Sequence, residues 1–112
     1  MTKIDSERVY NLIKRIPLGK ITTYKEIGNA LNTKGYRAIG KILNKNPNPI
    51  IIPCHRVVKA NGEVGGYVYG VDMKINLLKK EGILIKDNYI VNFKDHFFSF
   101  SKRENKDKIN SK

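Results

Sequence analysis

The sequence predicts a mainly α domain with small β elements, arranged as a winged helix-turn-helix. Three observations carry this expectation. Apolar residues recur at helical spacing in three successive short segments of the first half. A polar turn containing Gly35 separates the second segment from the third. The second half is punctuated by Asn61-Gly62, Gly65-Gly66 and Asp87-Asn88, leaving room for one more helix and a hairpin.

In chain order, Ser6-Glu7-Arg8 reads as a helix start, and Val9, Leu12, Ile13 and Ile16 follow on one face. Pro17 and Gly19 stop that helix, and Ile21-Thr22 reads as a short extended piece. Thr23-Tyr24-Lys25-Glu26 is a capping box, with the Thr23 hydroxyl able to accept from a free helical N–H and Glu26 able to reach back. Ile27, Ala30 and Leu31 supply the next apolar stripe. Asn32-Thr33-Lys34-Gly35 turns the chain into a third helix, with Ile39, Ile42 and Leu43 inward. Asn46-Pro47-Asn48-Pro49 ends it, because proline cannot continue a helix and pushes the preceding residue toward extended conformations. Ile50-Ile51-Ile52 is β-branched and reads as a short buried strand. Asp72 is expected to cap a helix running to about Glu81, with Leu77 and Leu78 buried and Gly82 at its stop. Residues 83–85 and 89–91 read as a β-hairpin or wing around Asp87-Asn88. The almost wholly polar residues 101–112 are expected to be a disordered tail, leaving residues 1–100 as one domain.

A chain of 112 residues, 40% hydrophobic and 29% charged, has room for one modest core and is not of disordered composition. Its longest apolar run is far short of a membrane span, and its first residues lack a secretory signal. One cysteine cannot form an internal disulfide, so a cytoplasmic or nucleoid-associated, intracellular setting is expected. The net charge is +12, from 22 basic and 10 acidic residues. Such a surplus attracts polyanions, nucleic acid ahead of acidic membrane surface. With the basic residues on a helix-turn-helix, the expected class is a winged-helix-like helix-turn-helix DNA-binding domain, with no membrane partner.

Chemistry concentrates at Cys54. A free thiol has a pKa of roughly 8.5 and needs help to ionise at neutral pH. An imidazole can take the proton, directly or through a water, and a carboxylate can hold that imidazole in the right tautomer. His55 is adjacent, and Glu81 stands at a helix end. Adjacent side chains on an extended chain point opposite ways, so a Cys54–His55 partnership needs a turn, a helix start or a bridging water. A bare Cys-His pair is more often a buried structural cysteine beside a surface histidine. A closed metal site is not expected, since one cysteine and two histidines, His55 and His96, fall short of a zinc ligand set. His96 reads as a satisfied or surface histidine. The glycines do not match a phosphate-binding loop, and the chain is too short for a two-lobed cysteine protease.

Ile52-Pro53-Cys54-His55-Arg56-Val57-Val58 resembles the active-site motif of the O6-alkylguanine-DNA alkyltransferases. The resemblance extends upstream through Asn46-Pro47-Asn48-Pro49-Ile50, Tyr36-Arg37-Ala38-Ile39-Gly40 and Gly19-Lys20-Ile21-Thr22-Thr23-Tyr24. Downstream it takes in Asn61-Gly62, Gly65-Gly66-Tyr67, Lys74 and Leu77-Leu78-Lys79-Lys80-Glu81-Gly82, covering roughly residues 6–85. It implies irreversible, single-turnover transfer of the alkyl group from O6-alkylguanine in double-stranded DNA to Cys54. By the same resemblance, His55 draws off the thiol proton through a water, Glu81 orients His55, and Asn46 braces the active-site turn. Tyr24 then protonates the leaving guanine and pushes on its phosphate, and Arg37 enters the stack in place of the flipped base. Tyr36, Ala38 and Lys41 would join them in binding DNA, and Leu43, Val57, Gly65, Tyr67 and Val68 would line the substrate pocket. No cofactor and no metal are implied, and the protein is expected to act as a monomer.

Physics supports that division of labour. A thiolate cannot reach O6 of a stacked guanine, so the nucleotide must leave the duplex, and the minor-groove binding that the resemblance implies suits a protein that acts in any sequence. Outside the resemblance, Tyr24 and Tyr67 read as rim or core aromatics, Arg37 as a surface charge, and Arg56 and Lys74 as structural or phosphate contacts. Glu81 sits where a helix dipole disfavours an anion. Many family members carry a further N-terminal domain, so any support it gives is expected to be missing, and the turn between Tyr24 and Arg37 is about one residue tighter than in some of them. Alkyltransferase-like proteins recognise lesions without repairing them, but carry another residue, typically tryptophan, at the position of Cys54. A winged-helix regulator would have no use for the Pro53-Cys54-His55-Arg56 motif.

Overall fold

The structure, a computed structural model, describes residues 4–100; the expected polar tail lies outside the described residues. Helix α1 spans Ser6–Ile13, starting where expected, and is capped by Asp5, whose carboxylate accepts from Glu7 N at 3.0 Å. Val9 and Ile13 are buried, and Ile16 joins them from the tightened turn beyond the helix. Strand β1 (Thr22–Thr23) leads directly into α2 (Tyr24–Leu31). Half of the capping box is present, since Thr23 Oγ1 accepts from Glu26 N at 3.0 Å. Glu26 does not reach back; its carboxylate takes Ser99 Oγ at 2.8 Å and Phe100 N at 3.1 Å, fastening residues 97–100 over α2.

Asn32 ends α2 in the left-handed conformation that a Cβ-bearing residue tolerates best when it is asparagine. Helix α3 (Tyr36–Asn44) then packs on α2, as the helix-turn-helix pattern predicts. The inward face of α2 differs in one respect: Ala30 is exposed and Gly28 is buried beside Ile27. A Cβ on Gly28 would lie 2.5 Å from the Tyr36 ring and 2.7 Å from the Thr33 carbonyl, so glycine sets how closely the two helices approach.

The expected buried strand at Ile50-Ile51-Ile52 is overturned. Ile50 and Ile51 are 53% and 77% exposed, and only Ile52 is buried. Asn48 and the two flanking prolines make a turn closed by Ile52 N to Asn48 O at 2.9 Å, leaving no straight segment to pair. Ile50 takes a φ of +80°, rare and strained for a β-branched residue. The chain next forms one 3-10 turn, Cys54–Arg56, and strand β2 (Val57–Val58). Strand β2 pairs in parallel with β1, Thr22 opposite Val57 and Thr23 opposite Val58. Its side chains alternate, so Val57 enters a core with α1, α2 and α3, while Val58 enters a second with Leu78, Ile83 and Ile90.

Helix α4 (Val71–Lys80) begins at Gly70 rather than at a side-chain cap, with Asp72 inside the first turn. It ends as expected at Gly82, in a Schellman motif: Gly82 N bonds Lys79 O, Ile83 N bonds Leu78 O, and Leu78 and Ile83 share a core. Strands β3 (Ile85–Lys86) and β4 (Tyr89–Ile90) form the wing, an antiparallel hairpin whose turn residues Asp87 and Asn88 both have positive φ. Helix α5 (Phe93–His96) returns the chain to β1, where Phe98 N bonds Ile21 O and Thr22 Oγ1 bonds Phe98 O. His96 is half-buried, with Nδ1 3.1 Å from the Gly19 carbonyl. Among the described residues no helix is long and apolar enough to cross a membrane.

Candidate active site

Cys54 opens the 3-10 turn and is 4% exposed. The turn is the bend that a partnership of neighbouring side chains needs, but His55 Nδ1 makes no direct hydrogen bond to the sulfur. Asn46, expected to brace this turn, lies against it: Nδ2 donates to the Ile52 carbonyl at 2.7 Å and to Cys54 Sγ at 3.2 Å, while Oδ1 accepts from Asn48 N. Burial pushes the Cys54 thiol above its ordinary value, and the Asn46 bond and the Lys74 ammonium pull back only part of that rise. The resting group is a thiol.

His55 is fully buried, with Nε2 2.8 Å from Glu81 Oε2 and with no protein partner for Nδ1. Burial lowers its pKa and outweighs the opposing pull of Glu81, so the ring is neutral at physiological pH. Burial alone would raise the Glu81 carboxyl, but hydrogen bonds from Arg56 and His55 bring it below the ordinary range. That offsets its unfavourable place at the C-terminal end of α4. Arg56 closes the cluster from the other side, with Nε and Nη2 each 2.9 Å from a Glu81 oxygen and Nη1 2.7 Å from the Ile16 carbonyl.

Lys74 is fully buried and gives hydrogen bonds to the Val57 carbonyl at 2.6 Å and the Gly66 carbonyl at 2.9 Å. Burial pushes it down to about 7 against the pull of the Cys54 sulfur. It ties β2 to the glycine loop, where Gly65 has a φ of +79°. Tyr67 and Val68 follow in that loop, both half-buried. The Tyr67 ring stands edge-on to His55, its hydroxyl has no protein partner, and burial helps push its pKa up to about 12. Leu43 and Val57, expected in the pocket lining, are buried in the same core cluster as Cys54.

A groove of about 460 Å³ runs beside α3, lined by Tyr24, Arg37 and Lys41 with Tyr36, Gly40, Asn44 and Lys59. Tyr24 and Lys59 reach it from the same end of the β1–β2 pair, each directly after its strand. Tyr36 divides itself between the groove and packing on Gly28. Arg37 and Lys41 are exposed; Ala38 is exposed too but outside the groove lining. Lys59 and Asn44 escaped the sequence reading, although a lysine two residues past Val57 was a usable signal. Among the described residues no three metal-ligating side chains come together.

The family profile described as "6-O-methylguanine DNA methyltransferase, DNA binding domain" matches residues 5–83. The methylated-DNA--protein-cysteine methyltransferase of Metallosphaera sedula is 49% identical over 79 residues, 70% of this chain and 49% of that relative. The chain spans about half the length of the curated relatives it matches. Among solved structures, the Mycobacterium tuberculosis OGT, crystallised in complex with DNA, superposes with a TM-score of 0.67 and 35% identity over 72% of this chain and 51% of its own. S. pombe Atl1, crystallised with damaged DNA containing O6-carboxymethylguanine, superposes with a TM-score of 0.73 over 88% of this chain and 99% of its own. At 23% identity that second likeness speaks for the fold alone.

Proposed function

Since this chain belongs to the 6-O-methylguanine DNA methyltransferase DNA-binding-domain family, we propose that it repairs O6-alkylguanine in double-stranded DNA by taking the alkyl group onto Cys54. The observation that carries this reading is the chain of contacts around the thiol. Asn46 holds Cys54 Sγ, and the neighbouring His55 is anchored on Glu81 with its other nitrogen bare. A neutral imidazole donating from Nε2 has Nδ1 as its acceptor, the form needed in a general base.

Exposed Arg37 and Lys41 bind the duplex beside the groove. A thiol 4% exposed meets only a guanine rotated out of the stack, and Arg37 fills the gap it leaves. His55 takes the thiol proton through a water. The sulfur attacks the alkyl carbon, forming the S–C bond as the C–O6 bond breaks and its electron pair passes to the guanine. Tyr24, whose hydroxyl burial keeps protonated, gives the guanine its proton and regains one, through solvent, from the His55 imidazolium. The net change exchanges alkyl for hydrogen between guanine and cysteine, needs no cofactor, and leaves a thioether with no way back. Each monomer acts once, inside the cell where the genome is.

The burial of Cys54, 4% exposed and with its thiol held protonated by that burial, favours a second reading, lesion recognition without transfer. Incubation with duplex DNA carrying one O6-methylguanine, followed by intact mass and peptide mapping, separates the two. Gain of one CH2 unit on Cys54 with restored guanine supports transfer, and Cys54→Ser then loses it while keeping DNA binding. Tight lesion binding with unchanged mass establishes the recognition protein.

A further inference from the structure

Arg56 has no part in the transfer step above, yet its side chain makes three hydrogen bonds at the base of the Cys54 turn. Its Nε and Nη2 each donate to one oxygen of Glu81 at 2.9 Å, and Nη1 donates to the Ile16 carbonyl at 2.7 Å. The Arg56 side chain is 13% exposed and that of Glu81 12%. A carboxylate held at one point can rotate about its last bond. Two parallel N–H···O bonds remove that freedom. His55 Nε2 shares Glu81 Oε2 with Arg56 at 2.8 Å, so the plane imposed on the carboxylate also aims the imidazole. The three-way anchoring leaves the guanidinium turned inward, which argues against a phosphate contact for this residue.

We propose that Arg56 is a positioning residue, gripping Glu81 so that His55 donates from Nε2 and keeps Nδ1 free as the acceptor. The purpose of this arrangement rests on the alkyl-transfer reading; the geometry does not. The charged and titratable groups around His55 are Glu81, which favours the imidazolium, and Arg56 and Lys74, which oppose it, with Cys54 next in the chain and the Tyr67 ring edge-on. Without Arg56, Glu81 is an anion whose remaining partner in the cluster is the imidazole. It then draws a proton onto the ring and swings with it.

The test reads His55 directly, by 15N-histidine NMR across pH on the free 112-residue chain. His96→Gln assigns the signals, because the sequence has two histidines. In the unaltered protein His55 is expected to be neutral with its proton on Nε2. In Arg56→Met it should take up its second proton about one pH unit higher, with the acid limb of single-turnover transfer moving equally, roughly a tenfold slowing on that limb. Arg56→Lys keeps the charge but not the two-pronged grip and should show a smaller shift. If Arg56→Met does not fold, Arg56→Lys decides by the same signals. A folded variant with unchanged His55 titration and tautomer overturns the proposal. So does a loss of DNA affinity and salt dependence with His55 unmoved, which would make Arg56 a phosphate contact. Because the titration needs no DNA, it judges Arg56 even if no alkyl group is ever transferred.

Discussion

On the outer face of α3, Arg37 and Lys41 stand in solvent with no ion pair among the described residues. At the base of the Cys54 turn, His55, Arg56 and Glu81 are withdrawn from solvent and locked together at 2.8–2.9 Å. The same kinds of side chain serve opposite ends in the two regions. Exposed cations lose little by staying hydrated and attract a polyanion from a distance, with a reach set by salt. Buried charges have lost their water, so each must be met by a partner, and that requirement fixes their positions. Under the proposed function, one region supplies affinity that tolerates change, the other geometry that does not.

The sharpest way to break the buried side is Glu81→Gln. It strips Arg56 and His55 of their anion in one step and leaves a guanidinium poorly paired. We expect a loss of about 2–3 kcal/mol in stability, read by urea denaturation, and roughly 100-fold slower alkyl transfer. A variant with undiminished rate would remove Glu81 from the mechanism.

Acid should act next. His55 is lowered by burial, so the transfer rate stays level as pH falls through the ordinary histidine range and then drops about tenfold per unit once the ring protonates. Glu81 is lowered in the folded chain, so the stability it contributes is complete above the ordinary glutamate range and is lost as pH falls through its folded value. Single-turnover rates and denaturation midpoints across pH check both; a rate that begins to fall above the ordinary histidine range would contradict the burial argument.

Gly28→Ala tests what holds the exposed face in place. The gain in helix propensity is outweighed by a clash with the Thr33 backbone and the Tyr36 ring, for a net loss of about 1–2 kcal/mol. The smallest effect should come from Lys41→Met: stability within about 0.5 kcal/mol, and a salt dependence of DNA binding shallower by about one phosphate contact. A large loss of stability here would mean that α3 carries structural charge after all.

The helices were legible because their signals are local. Val9 and Ile13, Ile27 and Leu31, and Ile39 and Leu43 announce their inward faces within a turn or two of chain. Asp87-Asn88 and Gly82 likewise mark their turns by a backbone conformation that few residues accept. The Ile50-Ile51-Ile52 run misled because β-branching signals a strand only where there is an edge to pair with, and the Asn48 turn denies it one.

By itself, then, the sequence determined the three-helix order, the wing, the basic surplus and the Pro53-Cys54-His55-Arg56 motif, all written in neighbouring residues. Only the tertiary structure decided that Arg56 grips a carboxylate 25 positions away, that Lys74 is buried under Val57 and Gly66, and that β1 pairs with β2. It also brought Lys59 to the groove of Tyr24. The physical reason is the same each time. A buried charge or an unpaired strand edge must find a partner, but nothing in the adjacent residues says which of many candidates the packing of two cores will deliver.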